Sequence, residues 1–149
     1  VLCKGVSEKG ILFFTNLDSS KANEISLDPR ASIAFHWPIL NRQVRIEGRL
    51  EKTSDQEADS YFQTRSRISK VGAWASKQSR PLESREVLLK AVDEYSSRFN
   101  HDVPRPSHWS GFRLQPFAWE FWQGQEGRLH DRWTIQKLDE NWLSWRLYP

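Results

Sequence analysis

The chain has 149 residues, 38% apolar and 28% charged, with a formal net charge of +3; that is one domain's worth, enough to bury roughly two thirds of the surface an unfolded chain exposes. A single cysteine excludes an internal disulfide and a thiolate metal centre, and the four histidines show no paired ligand spacing, so no metal is expected. No apolar run approaches the about 18 residues of a membrane span, the charge is too mild to argue for a nucleic-acid duplex, and eight Trp and eight Phe against no Met favour β packing and stacked ligands.

Residues 1–6 and 10–16 read as two short strands joined by the turn Ser7-Glu8-Lys9-Gly10, a hairpin. Residues 19–27 form a helix with Ser19 or Ser20 as N-cap, stopped by Asp28-Pro29. A strand follows over 31–37 with Ala31, Ile33, Phe35 and Trp37 on one face. The clearest periodicity covers 43–51, where Val44, Ile46, Gly48 and Leu50 alternate with Gln43, Arg45, Glu47, Arg49 and Glu51. Ser54 then opens a helix to Thr64, with Glu57 completing a capping box.

The Ser- and Lys-rich stretch 66–81 holds Val71-Gly72-Ala73-Trp74 and reads as a partly helical connection. A second long helix spans 84–99 with Leu88, Val92, Tyr95 and Phe99 on one stripe. Residues 101–110 are a proline-containing loop. Strands close the chain over 111–123, as one or two pieces, then 132–138 and 142–147, the last two joined by the turn Asp139-Glu140-Asn141. Strands dominate and helices are inserted between them, so the expected class is α+β or mainly β, an antiparallel barrel with helical excursions in a single domain, residues 1–149.

The residues that carry chemistry fall in several places. Trp119-Glu120-Phe121-Trp122-Gln123-Gly124 is followed by Arg128-Leu129-His130-Asp131-Arg132, a clamp for a flat anionic ligand, because Arg both pairs phosphates and stacks on rings. The same spacing fits a solvated turn whose arginines pair with Asp131 and Glu126. No glycine-rich phosphate loop is present, so side chains and strand-end amides must hold any nucleotide phosphate. Lys4, Thr15, Lys21, Arg65, Ser69 and Ser79 stand at predicted element ends or in polar connectors, although each taken singly is more often a plain surface residue. Tyr61, Arg65 and Ser69 recur at i, i+4 and i+8, one face of a helix if the chain stays helical that far.

The C-terminal block resembles the signature of the pyridoxine (pyridoxamine) 5′-phosphate oxidase family, an E-F-W-Q-G strand leading to R-L-H-D-R. Val1-Leu2-Cys3-Lys4, Phe13-Phe14-Thr15-Asn16, Asn41-Arg42-Gln43-Val44, Gly72-Ala73-Trp74-Ala75-Ser76-Lys77-Gln78-Ser79 and Arg146-Leu147-Tyr148-Pro149 follow the family's order. The resemblance implies an FMN-binding split barrel, homodimeric, with two flavin sites at the subunit interface. It further implies oxidation of pyridoxine 5′-phosphate or pyridoxamine 5′-phosphate to pyridoxal 5′-phosphate in the cytoplasm, with O₂ as acceptor and H₂O₂ as product.

By the same resemblance FMN is bound by Val1, Leu2, Cys3, Lys4, Phe14, Thr15, Ser20, Lys21, Gln43, Gln78, Ser79, Trp122 and Arg132. Lys4, Tyr61, Arg65 and Ser69 meet the substrate phosphate, while Arg128, Leu129 and His130 hold the pyridine ring, with Arg128 and His130 as the catalytic pair. Phe14 stands where many members have Tyr. Ser20 stands where the family commonly has an arginine for the FMN phosphate, and Ser66 replaces a usual proline. In the family the V-L-x-K segment lies inside a barrel strand preceded by others, which implies a native chain extending upstream by several tens of residues. Other split-barrel flavoproteins, such as flavin reductases and FMN carriers, remain alternatives, as does a single-strand nucleic-acid binder, which interleaved basic and aromatic residues also describe.

Overall fold

The alternating segment is the hub of the architecture, because its apolar positions are buried on one side while both of its edges find a partner. The computed structural model describes all residues, Val1–Pro149. In it β1 (Gly5–Ser7), β2 (Gly10–Asn16), β3 (Arg30–Trp37), β4 (Arg42–Lys52), β5 (Trp109–Gln123), β6 (Asp131–Leu138) and β7 (Asn141–Leu147) form one antiparallel sheet. The order β1-β2-β5-β4-β3 holds for five of them, while β6 pairs with the distal part of β5 and carries β7 on its far side. Helices α1 (Ser20–Leu27), α2 (Asp55–Thr64), α3 (Arg67–Ala75) and α4 (Arg85–Arg98) fill the connections. This is the split barrel with inserted helices.

Two apolar clusters hold it. Ile11, Phe13, Ala22, Ile46, Leu50, Phe112 and Leu114 form the barrel core, with Ala31, Ile33 and Phe35 packed at its edge. Phe62, Val71, Val103 and Trp109 form the second, roofed by Trp74, Val92, Tyr95 and Phe99 from α3 and α4. Burying each large side chain contributes about 1.5–3 kcal/mol. The connection after α4 is pinned by polar contacts: Arg67 donates to the Ser96, Phe99 and His101 carbonyls, Trp74 Nε1 donates to Pro104 O at 2.8 Å, and Arg105 pairs with Asp55 and Asp59 at 2.9 and 2.6 Å.

Four sequence expectations are corrected. The first strand is only Gly5–Ser7; residues 1–4 are exposed and hold the sheet through one bond, Lys4 N–H to Leu12 O at 2.7 Å. Residues 109–123 are one strand, since a register shift opposite Glu47/Gly48 absorbs the irregularity near Pro116 as a bulge. Trp37 shares the β3 face but is 45% exposed, because β3 outruns the barrel core there. Half of the capping box forms: Ser54 accepts from Glu57 N–H, while the Glu57 carboxylate turns to Arg113.

Gly111 shows how tightly barrel and helical layer meet. A Cβ there would lie 2.7 Å from the Phe14 ring and 2.9 Å from Thr53 Cγ2, well inside contact distance. Gly111→Ala is expected to destabilise the fold by about 1–3 kcal/mol, read as a lowered midpoint in urea unfolding; an unchanged midpoint would show that Phe14 moves freely.

Candidate active site

Arg65 ends α2 as its C-cap, with ψ 149°, and Ser66 restarts the chain as N-cap of α3, accepting from Ser69 N–H. The helix ends at Thr64 as expected, so the condition that it continue through Arg65 to Ser69 is not met, because a serine at this point satisfies the new helix's free amides better than a continued turn would. The three side chains still line one cleft of about 360 Å³, together with Leu2, Lys4 and Ser66 over a floor of Phe14 and Trp109. Phe14, Tyr61 and Trp109 lie nearly parallel, with centroids 4.1 Å apart for Phe14–Tyr61 and 5.1 Å for Phe14–Trp109. Lys4 Nζ stands 5.8 Å from the Tyr61 ring centre.

Arg65 is the distinctive group here. Its guanidinium carbon sits 4.8 Å from the Trp109 ring centre and 5.4 Å from that of Phe62. Its NH1 is buried with no hydrogen-bond partner, and burial draws its pKa down, although an arginine stays protonated. A buried donor left unpaired costs about 1–3 kcal/mol or more.

A second cleft of about 270 Å³ shares Arg65, Ser69 and Trp109 and runs toward Asn16, Ser76 and Gln78. Next to it Lys21 Nζ donates to Thr15 Oγ1 at 2.6 Å and to Ser19 Oγ at 3.2 Å, and Thr15 Oγ1 donates to Gln78 Oε1 at 3.2 Å. Burial lowers the Lys21 pKa, partly opposed by Glu24. Ser79 follows with φ 68°. Ser20 is exposed on the first turn of α1, whose cap is Ser19. Val1 and Cys3 are exposed and line none of these clefts.

The remaining candidates gather elsewhere. Gln43, Trp122 and Arg132 are consecutive neighbours across β4, β5 and β6 and line a cleft of about 670 Å³ with Trp37, Phe121 and Trp133. His130 packs on Trp122 at 4.8 Å between ring centres. Its Nδ1 accepts from Gln125 N–H at 3.1 Å, which leaves Nε2 as the protonated, donating nitrogen of the neutral ring. Arg128 and Leu129 project from the exposed turn before β6. Arg128 has φ 62° directly after Gly127 at φ 64°, a left-handed pair that a glycine adopts freely and an arginine rarely does. Ser79 and Arg128 thus both hold backbone conformations that cost free energy, at positions singled out for chemistry.

The alternative reading of the turn, in which its arginines pair with Asp131 and Glu126, is not what forms. Asp131 accepts from Gln125 Nε2 at 3.0 Å and meets Arg146 at 3.5 Å, while Arg132 Nε donates to Glu120 at 2.8 Å. Successive strand residues face opposite ways, so Arg132 meets Glu120 on its own face. Arg132 and then Arg45 hold the Glu120 carboxyl below its usual range. That stabilisation is complete above pH about 4.5 and is lost as pH falls through the lowered value. Sequence reading missed Glu120 and Trp109 as parts of these sites, since strand register and ring stacking are what place them.

The two groups lie far apart along one chain. Trp109 and Trp122 are thirteen residues apart on continuous β5, roughly 40 Å along the strand at about 3.3 Å per residue.

The fold and these clefts define an FMN-binding split barrel. Residues 2–99 match the family described as pyridoxamine 5′-phosphate oxidase and residues 109–149 the pyridoxine 5′-phosphate oxidase C-terminal dimerisation region. The chain belongs to this family, and its cofactor is FMN. It is 51% identical to the pyridoxine/pyridoxamine 5′-phosphate oxidase of Agrobacterium fabrum and 54% identical to that of Cupriavidus necator, covering all of this chain and 74% and 71% of theirs. Among solved structures, PhzG of Burkholderia lata, in complex with tetrahydrophenazine-1-carboxylic acid, superposes with a TM-score of 0.92 at 28% identity, covering 99% of this chain and 72% of that one. A pyridoxamine 5′-phosphate oxidase-related FMN-binding protein from Nostoc punctiforme shares the fold, with a TM-score of 0.74 at 18% identity over 99% of this chain and 78% of that one. No helix is long and apolar enough to cross a membrane.

Proposed function

We propose that the chain, as a single domain, oxidises pyridoxine 5′-phosphate and pyridoxamine 5′-phosphate to pyridoxal 5′-phosphate in the cytoplasm, with O₂ as acceptor and H₂O₂ as product. The observation that carries this is Arg65, a partly buried guanidinium with an unpaired NH1, which lines a cleft beside Lys4 and Ser69. Two cations and a hydroxyl over an aromatic floor suit a phosphate joined to a small ring. FMN fits the adjoining residues, since the Lys21, Thr15 and Gln78 cluster offers a cation, a hydroxyl and a carboxamide beside the continuing cleft. Gln43, Trp122 and Arg132 offer a second polar and aromatic surface to the same cofactor.

Held by these residues, FMN would supply a two-electron acceptor for the 4′ hydride and a route for those electrons to O₂. The protein's part is to orient and to manage protons. Arg65, Lys4, Tyr61 and Ser69 fix the substrate phosphate. Arg128 covers the ring, and His130, with its proton on Nε2, donates a hydrogen bond to a ring substituent. Because the two groups lie far apart on β5, the site closes only when a second copy supplies Arg128, His130, Gln43, Trp122 and Arg132, in keeping with the dimerisation region at 109–149.

Ser20 brings a hydroxyl in place of the arginine many members have, which leaves Lys21 as the cation of the α1 end. FMN is expected to bind at least tenfold more tightly than riboflavin, since each charge-assisted hydrogen bond to phosphate contributes about 1.5–3 kcal/mol. Fluorescence titration measures this. Peroxide release with pyridoxine 5′-phosphate and none with unphosphorylated pyridoxine tests the oxidase assignment. Equal flavin affinities, or a flavin that no phosphorylated B6 form reduces, would overturn it in favour of a flavin carrier or reductase.

A further inference from the structure

Arg132 is not a free cation. Its Nε donates to Glu120 Oε1 at 2.8 Å and its NH1 to Tyr148 O at 3.0 Å. The other Glu120 oxygen accepts from Arg45 NH2 at 3.0 Å, and Arg45 also pairs with Glu47. These four charges cross β4, β5 and β6 and sum to zero. The Glu120 side chain is only 12% exposed, against 30% for Arg132 and 46% for Arg45, so the inner bond of the network is the sheltered one.

We propose that Glu120 is a positioning residue for the cofactor: it locks the Arg132 guanidinium so that NH2, the nitrogen without a protein partner, faces the cleft shared with Gln43 and Trp122. This rests on the reading that Arg132 contacts FMN. Two observations support it. A planar guanidinium bonded at both Nε and NH1 has no rotational freedom left, so its remaining donors are fixed in direction. The carboxylate also cancels the guanidinium charge, so Arg132 works as an aimed hydrogen-bond donor more than as a site of net positive charge. Asp131, the carboxylate that lines the cleft, is occupied by Gln125 and Arg146 and offers Arg132 no alternative hold.

The test uses the full chain and FMN, titrated by fluorescence, with thermal unfolding as a check that each variant folds. Glu120→Gln keeps the shape and removes the charge, and is expected to weaken FMN binding ~10-fold, the lower range for loss of a partner that orients a ligand-binding group. Arg45→Gln breaks only the outer bonds, to Glu120 and Glu47, and is expected to keep wild-type affinity. In an Arg132→Ala background Glu120→Gln is expected to cause no further loss. An equal loss in that background, or wild-type affinity in Glu120→Gln, would overturn the positioning role, and a loss in Arg45→Gln matching that of Glu120→Gln would show that the network acts only on stability. If Arg132→Ala alone leaves FMN affinity unchanged, the assignment of Arg132 to the cofactor fails instead.

Discussion

Arg128→Ala is expected to slow reduction of the bound flavin by pyridoxine 5′-phosphate on the order of 100-fold while leaving the flavin absorption spectrum and FMN affinity unchanged. The turn holding Arg128 is short and exposed, its backbone is left-handed at φ 62°, and no carboxylate of the chain pairs with its guanidinium. Loss of this group removes orientation of the substrate ring without touching the Lys21, Thr15 and Gln78 cluster. His130→Ala is expected to act in the same direction and by a similar amount, since its Nε2–H is oriented by the Gln125 amide and by tilted packing against the Trp122 ring. Stopped-flow measurement of flavin bleaching under anaerobic conditions gives the rate directly. A wild-type rate in either variant would remove that residue from the substrate site.

Arg65→Ala and Arg128→Ala, each strongly impaired alone, are expected to restore about a quarter of wild-type activity when co-produced in equal amounts. The figure follows from two-fold symmetry. Half of the dimers are mixed, and each mixed dimer carries one site with both arginines and one with neither. The geometry requires this outcome if the phosphate cleft and the Arg128 turn act together, because β5 keeps Trp109 and Trp122 thirteen residues apart in any one chain. Arg65→Ala alone is also expected to raise KM for phosphorylated substrate, since it removes the only cleft cation seated on two rings. Co-produced variants that stay as impaired as either parent would mean that each site is built within one chain.

Much of the fold is written in local pattern. The 43–51 alternation, the Ser19 and Ser54 caps and the stripe at Val92, Tyr95 and Phe99 reappear as β4, α1, α2 and the inner face of α4, because each depends on periodicity or on one side chain satisfying a nearby amide. The family was legible for a related reason: several short motifs in a fixed order specify it far more sharply than composition does.

What local pattern did not contain was register and assembly. The i, i+4, i+8 spacing of Tyr61, Arg65 and Ser69 correctly grouped three residues, yet a helix break and a restart bring them together, and Ser66 makes the restart. Glu120 became the partner of Arg132 only once β5 and β6 were aligned. Motif order likewise gave no distance between the two halves of the candidate site. The sequence by itself determined which chemistry-bearing residues the chain holds and which elements carry them, since caps, periodicity and motifs act over a few neighbours. Only the tertiary structure decided that those residues sit on two separate surfaces, because strand pairing joins positions up to 103 residues apart, as Ile11 with Leu114, and a continuous strand of the length of β5 keeps its ends apart.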